Sequence, residues 1–262
     1  MTIMPKMMAT DLDGTLLPSS KIITDHTIAI LHKLHERGLK LVIATGRPIR
    51  DTEPYFDVIP WDAIICHNGA IILKDGQSIA SFPIPYQSFF PFISQIFEEH
   101  PQTAVFLEKD ETCYAINETE RFWGDYPTLP CSFPGELPAH ADKLLIPITN
   151  NIAIAKLQEL LPPDIYMELS SDGSCAFLMH EEARKNKALA RVAVLFDLSM
   201  SELVSFGDDI NDLLMLQETG IGVATANAIP IVLENADYIT ASCEEEGVAN
   251  WLKEYFHLHN NE

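Results

Sequence analysis

The chain has 262 residues, of which 47% are hydrophobic, and a formal net charge of −21. That apolar fraction excludes a disordered chain, and the acidity argues against a general nucleic-acid binder, because phosphate backbones need clustered Lys and Arg. No apolar run approaches the ~18–20 residues that span a bilayer, and residues 1–8 lack the apolar stretch and cleavage site of a signal peptide, so a cytoplasmic protein without a membrane partner is expected. The 5 cysteines form no CxxC pair and are read as free thiols.

In chain order, residues 7–10 read as a short buried strand that stops at Asp11. Thr24-Asp25 opens a helix carrying Ile28, Leu31 and Leu34, and Gly38 suits its C-terminal cap. Residues 39–44 read as a strand, followed by Thr45-Gly46-Arg47-Pro48, with Pro48 suited to a first helical turn. Residues 63–66 form a third strand. This β, α, β, α, β rhythm predicts a parallel sheet flanked by helices. Lys74-Asp75-Gly76-Gln77 reads as a hairpin turn.

From about residue 82 to 182 the chain becomes proline-richer. It carries a hairpin at 106–116, strands at 143–148, 165–169 and 175–179, and a helix at 151–161. This is read as an inserted α+β domain. The βα rhythm then returns. Helices are expected at 183–196, 210–218, 229–234 and 248–256, with strands at 203–206, 220–224 and 237–240.

Three strand ends carry chemistry. Asp11-Leu12-Asp13-Gly14-Thr15 follows the first strand, Thr45-Gly46-Arg47 the second, and Gly207-Asp208-Asp209-Ile210-Asn211-Asp212 a later one. In open parallel sheets, ligands bind outside the carboxyl ends of the strands. Asp11, Asp13, Asp208 and Asp212 brought together would repel one another in a low-dielectric cleft. A hard divalent cation removes that repulsion, and oxygen donors without His or Cys favour Mg²⁺ over Zn²⁺. Thr45-Gly46 offers a hydroxyl and backbone N–H groups of the kind that bind anions at helix N-termini. Taken singly, each segment could be a cap or a turn. The two acidic turns together outweigh that reading.

These segments resemble the first, second and fourth motifs of the haloacid dehalogenase-like (HAD) superfamily, in its Cof-type phosphatase branch. Supporting segments are Asn68-Gly69-Ala70, Gly222-Val223-Ala224 with Asn227-Ala228, Ala236-Asp237-Tyr238-Ile239-Thr240, and Glu246-Gly247-Val248. The matches run in order from residue 11 to 248, and the middle hundred residues match only in length and general pattern. The family's third motif supplies a lysine. In Arg184-Lys185-Asn186-Lys187-Ala188-Leu189, counting back from Ala188-Leu189 favours Lys185 over its neighbour Lys187. Asn186 stands where the family has glycine.

The resemblance implies an α/β fold: a doubly wound, Rossmann-like parallel-sheet core from residues 1–81 and 183–262, with a C2-type, Cof-like α+β cap at 82–182. It implies Mg²⁺-dependent hydrolysis of a small phosphorylated metabolite through an aspartyl-phosphate. Asp11 would be the nucleophile, and Asp13 the general acid and then the general base. The Asp11 and Asp208 side chains and the Asp13 backbone carbonyl would hold Mg²⁺, with Asp212 steadying a metal-bound water. Lys185, Thr45, Gly46 and Asn211 would hold the phosphoryl oxygens, with Leu12 and Arg47 completing the substrate-binding set. A sugar phosphomutase on the same core and a non-catalytic metabolite-binding protein are the alternatives. Neither the substrate nor the oligomeric state follows from the sequence.

Overall fold

A computed structural model describes residues 4–117, 127–135, 137–148, 152–170 and 172–258. The chain divides into two compact units, Met1–Ala80 with Arg184–Glu262, and Ser81–Ala183.

The first unit is built on eight strands: β1 (Met7–Thr10), β2 (Lys40–Ala44), β3 (Ala63–Cys66), β4 (Ile71–Lys74), β5 (Gln77–Ser81), β6 (Leu203–Gly207), β7 (Ile221–Thr225) and β8 (Tyr238–Thr240). Their order across the sheet is β8-β7-β6-β1-β2-β3-β4-β5. The pairings from β8 through β3 are all parallel, and β4 runs antiparallel to β3. All four residues of β1 and of β3 are buried, as are all five of β6 and β7. Continuous apolar runs of this kind belong to strands covered on both faces. From β1 the chain steps outward through β2 and β3, and later fills the other side through β6, β7 and β8. The order therefore reverses between β1 and β6, where strand ends in such sheets leave a crevice for a ligand.

The helix Asp25–Glu36 forms as its pattern predicts. The Thr24 hydroxyl accepts from the Thr27 N–H, Ile30, Leu31 and Leu34 are buried, and Gly38 follows at a φ of +95°. Other boundaries moved. Pro48 is the N-cap of a single-turn helix, Ile49–Thr52, which runs into a 3₁₀ turn at Glu53–Tyr55. The helix expected at 210–218 is a 3₁₀ turn, Ile210–Asp212, followed by Leu213–Glu218. The Asp209 side chain caps that turn, and Asp212 bonds back to the backbone before it. The third-motif helix is Lys185–Leu195, two residues shorter at its start than expected.

The second unit carries a six-stranded sheet in the order Ile165–Leu169, Cys175–His180, Lys143–Pro147, Val105–Lys109, Thr112–Ile116, Thr128–Pro130. Helices Tyr86–Glu99 and Ile154–Leu160 supply Phe89, Phe92, Ile93, Ile96 and Leu157 to a core with Val105, Leu107, Leu144, Ile146 and Leu178. The helix expected at 151–161 is thus shorter, and residue 151 lies outside the described residues. Tyr86–Glu99 escaped the sequence reading because prolines dominate that stretch. Its apolar residues nevertheless recur at i, i+3, i+4 and i+7, the spacing of one helix face. Pro85 stands at the N-cap, and Pro91 sits inside, where it removes one backbone hydrogen bond. Among the described residues, no helix is long and apolar enough to cross a membrane.

Candidate active site

Asp11 is the residue after β1. Its N–H donates to the Phe206 carbonyl of β6 at 3.1 Å, so the backbone is still registered to the sheet where the side chain emerges. Asp208 follows β6, and Asp212 ends the next turn. Carboxylate oxygens of Asp11, Asp208 and Asp212 lie within 4.8 Å of one another. Close approach demands glycine at two places. Gly14 has a φ of +79°, and a Cβ there would stand 2.2 Å from Asp208 Oδ2. A Cβ on Gly207 would stand 2.3 Å from the Asp212 Cβ. The Thr15 hydroxyl donates to Asp208 Oδ1 at 2.7 Å and fixes that carboxylate.

Lys185 enters this cluster from the first turn of its helix. Its Nζ lies 2.7 Å from Asp11 Oδ1 and 2.7 Å from Asp212 Oδ1. Of the two lysines weighed in the sequence, Lys185 is the one placed against these carboxylates, 1% exposed, whereas Lys187 is half-buried. The other Asp212 oxygen accepts the backbone N–H groups of Asp208 and Asp209, at 3.0 and 3.2 Å. Asn186 does not face the carboxylates. Its amide donates to Glu218 Oε1 at 2.9 Å, tying its helix to Leu213–Glu218.

The electrostatics follow from burial. Desolvation pushes the Asp11 carboxyl up; Lys185 opposes this, Asp212 and Asp208 add to it, and the net shift is upward. Burial, reinforced by Asp212, pushes Asp208 up to about 7 against the pull of Thr15 and Lys185. Burial also disfavours the Lys185 charge, but Asp11 and Asp212 more than offset it and hold the ammonium protonated.

Thr45 follows β2. Its N–H donates to the Ile65 carbonyl at 2.9 Å, and its hydroxyl accepts the Arg47 N–H at 3.2 Å. Gly46 packs on Asn68, whose Oδ1 would lie 3.0 Å from a Cβ at 46. The same Oδ1 accepts from the Asn211 amide at 3.0 Å. Asn68 therefore ties the strand end at 45–46 to the one at 211. No role for it was expected, although its Asn-Gly-Ala segment stood out in the sequence. Leu12 is fully buried, so what it can offer a substrate is its backbone N–H and not its side chain.

Asp13 stands apart from the other carboxylates. Its two oxygens receive Arg47 Nε and Nη2, each at 2.6 Å, and Lys21 Nζ reaches Oδ1 at 2.5 Å. Arg47, expected among the substrate-binding residues, is thus turned to Asp13, because a guanidinium matches a carboxylate with two parallel bonds. Its Nη1 donates to the Asp51 carbonyl at 3.0 Å and to the Tyr55 hydroxyl at 3.4 Å. Tyr55 in turn donates to the Lys21 carbonyl at 3.1 Å. Burial raises the Asp13 carboxyl, but the bonds from Arg47 and Lys21 override it and hold the group below the usual carboxylate range. Any hold of Asp13 on a cation would come through its backbone carbonyl. Thr15, Lys21, Asn68 and Tyr55 escaped the sequence reading. Thr15 and Asn68 lay inside quoted motifs, whereas Lys21 and Tyr55 carry no local signal.

The donor set fits Mg²⁺. Three carboxylates gather with one ammonium, which bonds two of them, all donors are oxygens, and burial drives the Asp11 and Asp208 carboxyls upward. A divalent oxygen-seeking cation relieves that excess negative charge.

The pattern of the haloacid dehalogenase-like hydrolases matches residues 8–252. YxeH of Bacillus subtilis is 29% identical, covering 96% of this chain and 98% of its own. The 5-amino-6-(5-phospho-D-ribitylamino)uracil phosphatase YitU of Bacillus subtilis is 28% identical, covering 97% of this chain and 98% of its own. Among solved structures, the HAD subclass IIB sugar phosphatase BT4131 superposes with a TM-score of 0.80 at 26% identity, covering 96% of this chain and 99% of that one. A match over nearly the whole chain, on a fold whose strand ends gather these carboxylates, makes this protein a member of the haloacid dehalogenase-like hydrolase family.

Proposed function

We propose that the protein is a Mg²⁺-dependent phosphatase that hydrolyses a small phosphorylated metabolite through an aspartyl-phosphate on Asp11. The observation that carries this reading is the buried Asp11 carboxylate at the end of the central strand, bonded to Lys185 and grouped with Asp208 and Asp212. The relatives support the substrate class. YitU is a phosphatase of 5-amino-6-(5-phospho-D-ribitylamino)uracil, and BT4131 is a sugar phosphatase. A cytoplasmic setting accords with cysteines that are not joined in disulfides, Cys66, Cys113, Cys131, Cys175 and Cys243.

Asp11 and Asp208, with the Asp13 carbonyl, would hold the cation, and Asp212 would keep Lys185 and the Asp208 backbone in place. When bound, Mg²⁺ supplies charge neutralisation that favours ionised Asp11 and draws electron density from the phosphoryl oxygens. The Lys185 ammonium, the Thr45 hydroxyl, the Asn211 amide and the backbone N–H groups of Leu12 and Gly46 would hold the three phosphoryl oxygens. An Asp11 oxygen attacks phosphorus, the ester P–O bond breaks, and Asp13, which must first take up a proton against the pull of Arg47 and Lys21, passes it to the departing alkoxide. Asp13 then takes a proton from water as its oxygen attacks phosphorus. The bond to Asp11 breaks and phosphate leaves.

The test is release of inorganic phosphate from a panel of sugar, polyol, nucleotide and coenzyme phosphates, with Mg²⁺ and with EDTA, for the wild type and Asp11→Asn. Mg²⁺-dependent release that falls by roughly 10³-fold or more in Asp11→Asn is expected. Wild-type turnover in that variant would remove Asp11 as the nucleophile. Rearranged sugar phosphate without free phosphate would replace the phosphatase by a mutase.

A further inference from the structure

We propose that Tyr55 is a positioning residue for Asp13, acting through Lys21 and Arg47; this rests on the phosphatase reading above. Asp13, Arg47, Tyr55 and Lys21 form a closed ring. Arg47 and Lys21 both bind the Asp13 carboxylate, and the Tyr55 hydroxyl accepts from Arg47 and donates to the Lys21 carbonyl. The Arg47 guanidinium also lies over the Tyr55 ring, 5.5 Å from its centre.

Tyr55 is anchored and the rest of the ring leans on it. It is buried at the end of the 3₁₀ turn Glu53–Tyr55, and its carbonyl accepts from Trp61 Nε1 at 3.0 Å. Lys21 has a φ of +58°, a left-handed conformation that a lysine adopts only when its surroundings hold it. The bonds that hold it are its N–H to the Pro18 carbonyl, at 2.9 Å, and the Tyr55 hydroxyl on its own carbonyl. The Asp13 side chain is 42% exposed, so packing alone does not fix it. Arg47 and Lys21 favour the ionised form of Asp13, so the carboxyl passes a proton only after taking one up, and its direction must be kept through that change. Two cations joined through one tyrosine keep it.

Tyr55→Phe keeps the ring, its packing and every charge, and removes only the hydroxyl. The measurement is kcat/KM for phenyl phosphate and 4-nitrophenyl phosphate with Mg²⁺, in wild type, Tyr55→Phe, Asp13→Asn and the double variant. 4-Nitrophenolate departs readily without a proton, whereas phenolate needs one. In Tyr55→Phe we expect phenyl phosphate to lose about 5–10-fold and 4-nitrophenyl phosphate less than about 2-fold. In the Asp13→Asn background, Tyr55→Phe should change neither ester. An equal fall for both esters, no fall, or an undiminished effect without Asp13 would overturn the proposal. Hydrogen exchange at residues 13–24 needs no turnover and should rise in Tyr55→Phe. Unchanged exchange there overturns the clasp. A wild type that cleaves neither ester nor any of the metabolite panel strikes instead at the phosphatase reading.

Discussion

Lys185 and Asp212 meet at 2.7 Å with neither side chain exposed to solvent. Asp212 spends its second oxygen on two backbone N–H groups, those of Asp208 and Asp209. It therefore positions the loop that presents Asp208, while Lys185 carries the link on to Asp11. One buried cation thus joins two strand ends that would otherwise repel each other.

Removing that cation should cost both stability and turnover. Lys185→Met keeps the length of the stem but leaves Asp11 and Asp212 buried without their partner. Breaking one side of a buried pair costs about 3–5 kcal/mol, which urea unfolding would register. Phosphate release should fall by about 100-fold or more, because a charge facing the phosphoryl group is lost. Near-wild-type turnover would remove Lys185 from the catalytic set.

The carboxylate cluster should make metal-free stability depend on pH. Asp208 is raised from 3.8 to about 7 in the folded chain, so the folded state holds its proton more tightly than the unfolded state does. Its contribution is fully present below 3.8 and is lost as pH rises through about 7. Asp11 shifts in the same direction. Asp13, held low, acts oppositely and weakens the fold only as pH falls towards and through its depressed value. Thermal melting in EDTA should therefore fall between pH 5 and pH 8. Added Mg²⁺ should stabilise more at pH 8 than at pH 5, since ionised carboxylates bind it. Equal stabilisation at both would argue against these carboxylates as its ligands.

Thr15→Val should loosen the metal and spare the fold. The hydroxyl is nearly isosteric with a methyl group, and its bond to Asp208 Oδ1 is what is lost. Groups that hold metal ligands in place typically account for about 10–100-fold in affinity. A rise of that order in the Mg²⁺ concentration for half-maximal activity, with kcat largely recovered at saturation, is the expected result. An unchanged Mg²⁺ dependence would mean that Asp208 is held sufficiently by Asp212 and its backbone.

In the second unit, Asp142 offers a pH effect without any metal. It is 2% exposed, and burial pushes its carboxyl up to about 6. Its stabilising contribution is present below pH 3.8 and is lost as pH rises through about 6. Asp142→Asn keeps an acceptor for the Asp110 N–H. It should melt like the wild type at pH 4 and be more stable by about 1–3 kcal/mol at pH 8. A variant less stable at pH 8 would show that the charged form has a partner worth more than its desolvation.

The strands of the first unit and the acidic turns that follow them were legible because their signals are local. Apolar runs that stop at Asp11, Thr45 and Gly207 need only a few consecutive residues to be recognised. The same holds for the i, i+2 spacing of Asp11 and Asp13. The helix Tyr86–Glu99 was local too, but its prolines obscured the period.

What lay beyond the sequence was which distant groups meet. Lys185 is 174 residues from Asp11, and Asn211 is 143 residues from Asn68. Arg47 carried a phosphate-binding expectation, yet the folded chain gives it a carboxylate partner 34 residues away. Such pairings depend on the strand order β6-β1-β2-β3 and on the path of the loop at 11–24, which bring side chains together irrespective of their separation along the chain. Residue types and turn chemistry by themselves determined that carboxylates would sit at strand ends. Only the tertiary structure decided which of them share Lys185 and which is clasped by Arg47 and Lys21, because short-range electrostatics act through space and not along sequence.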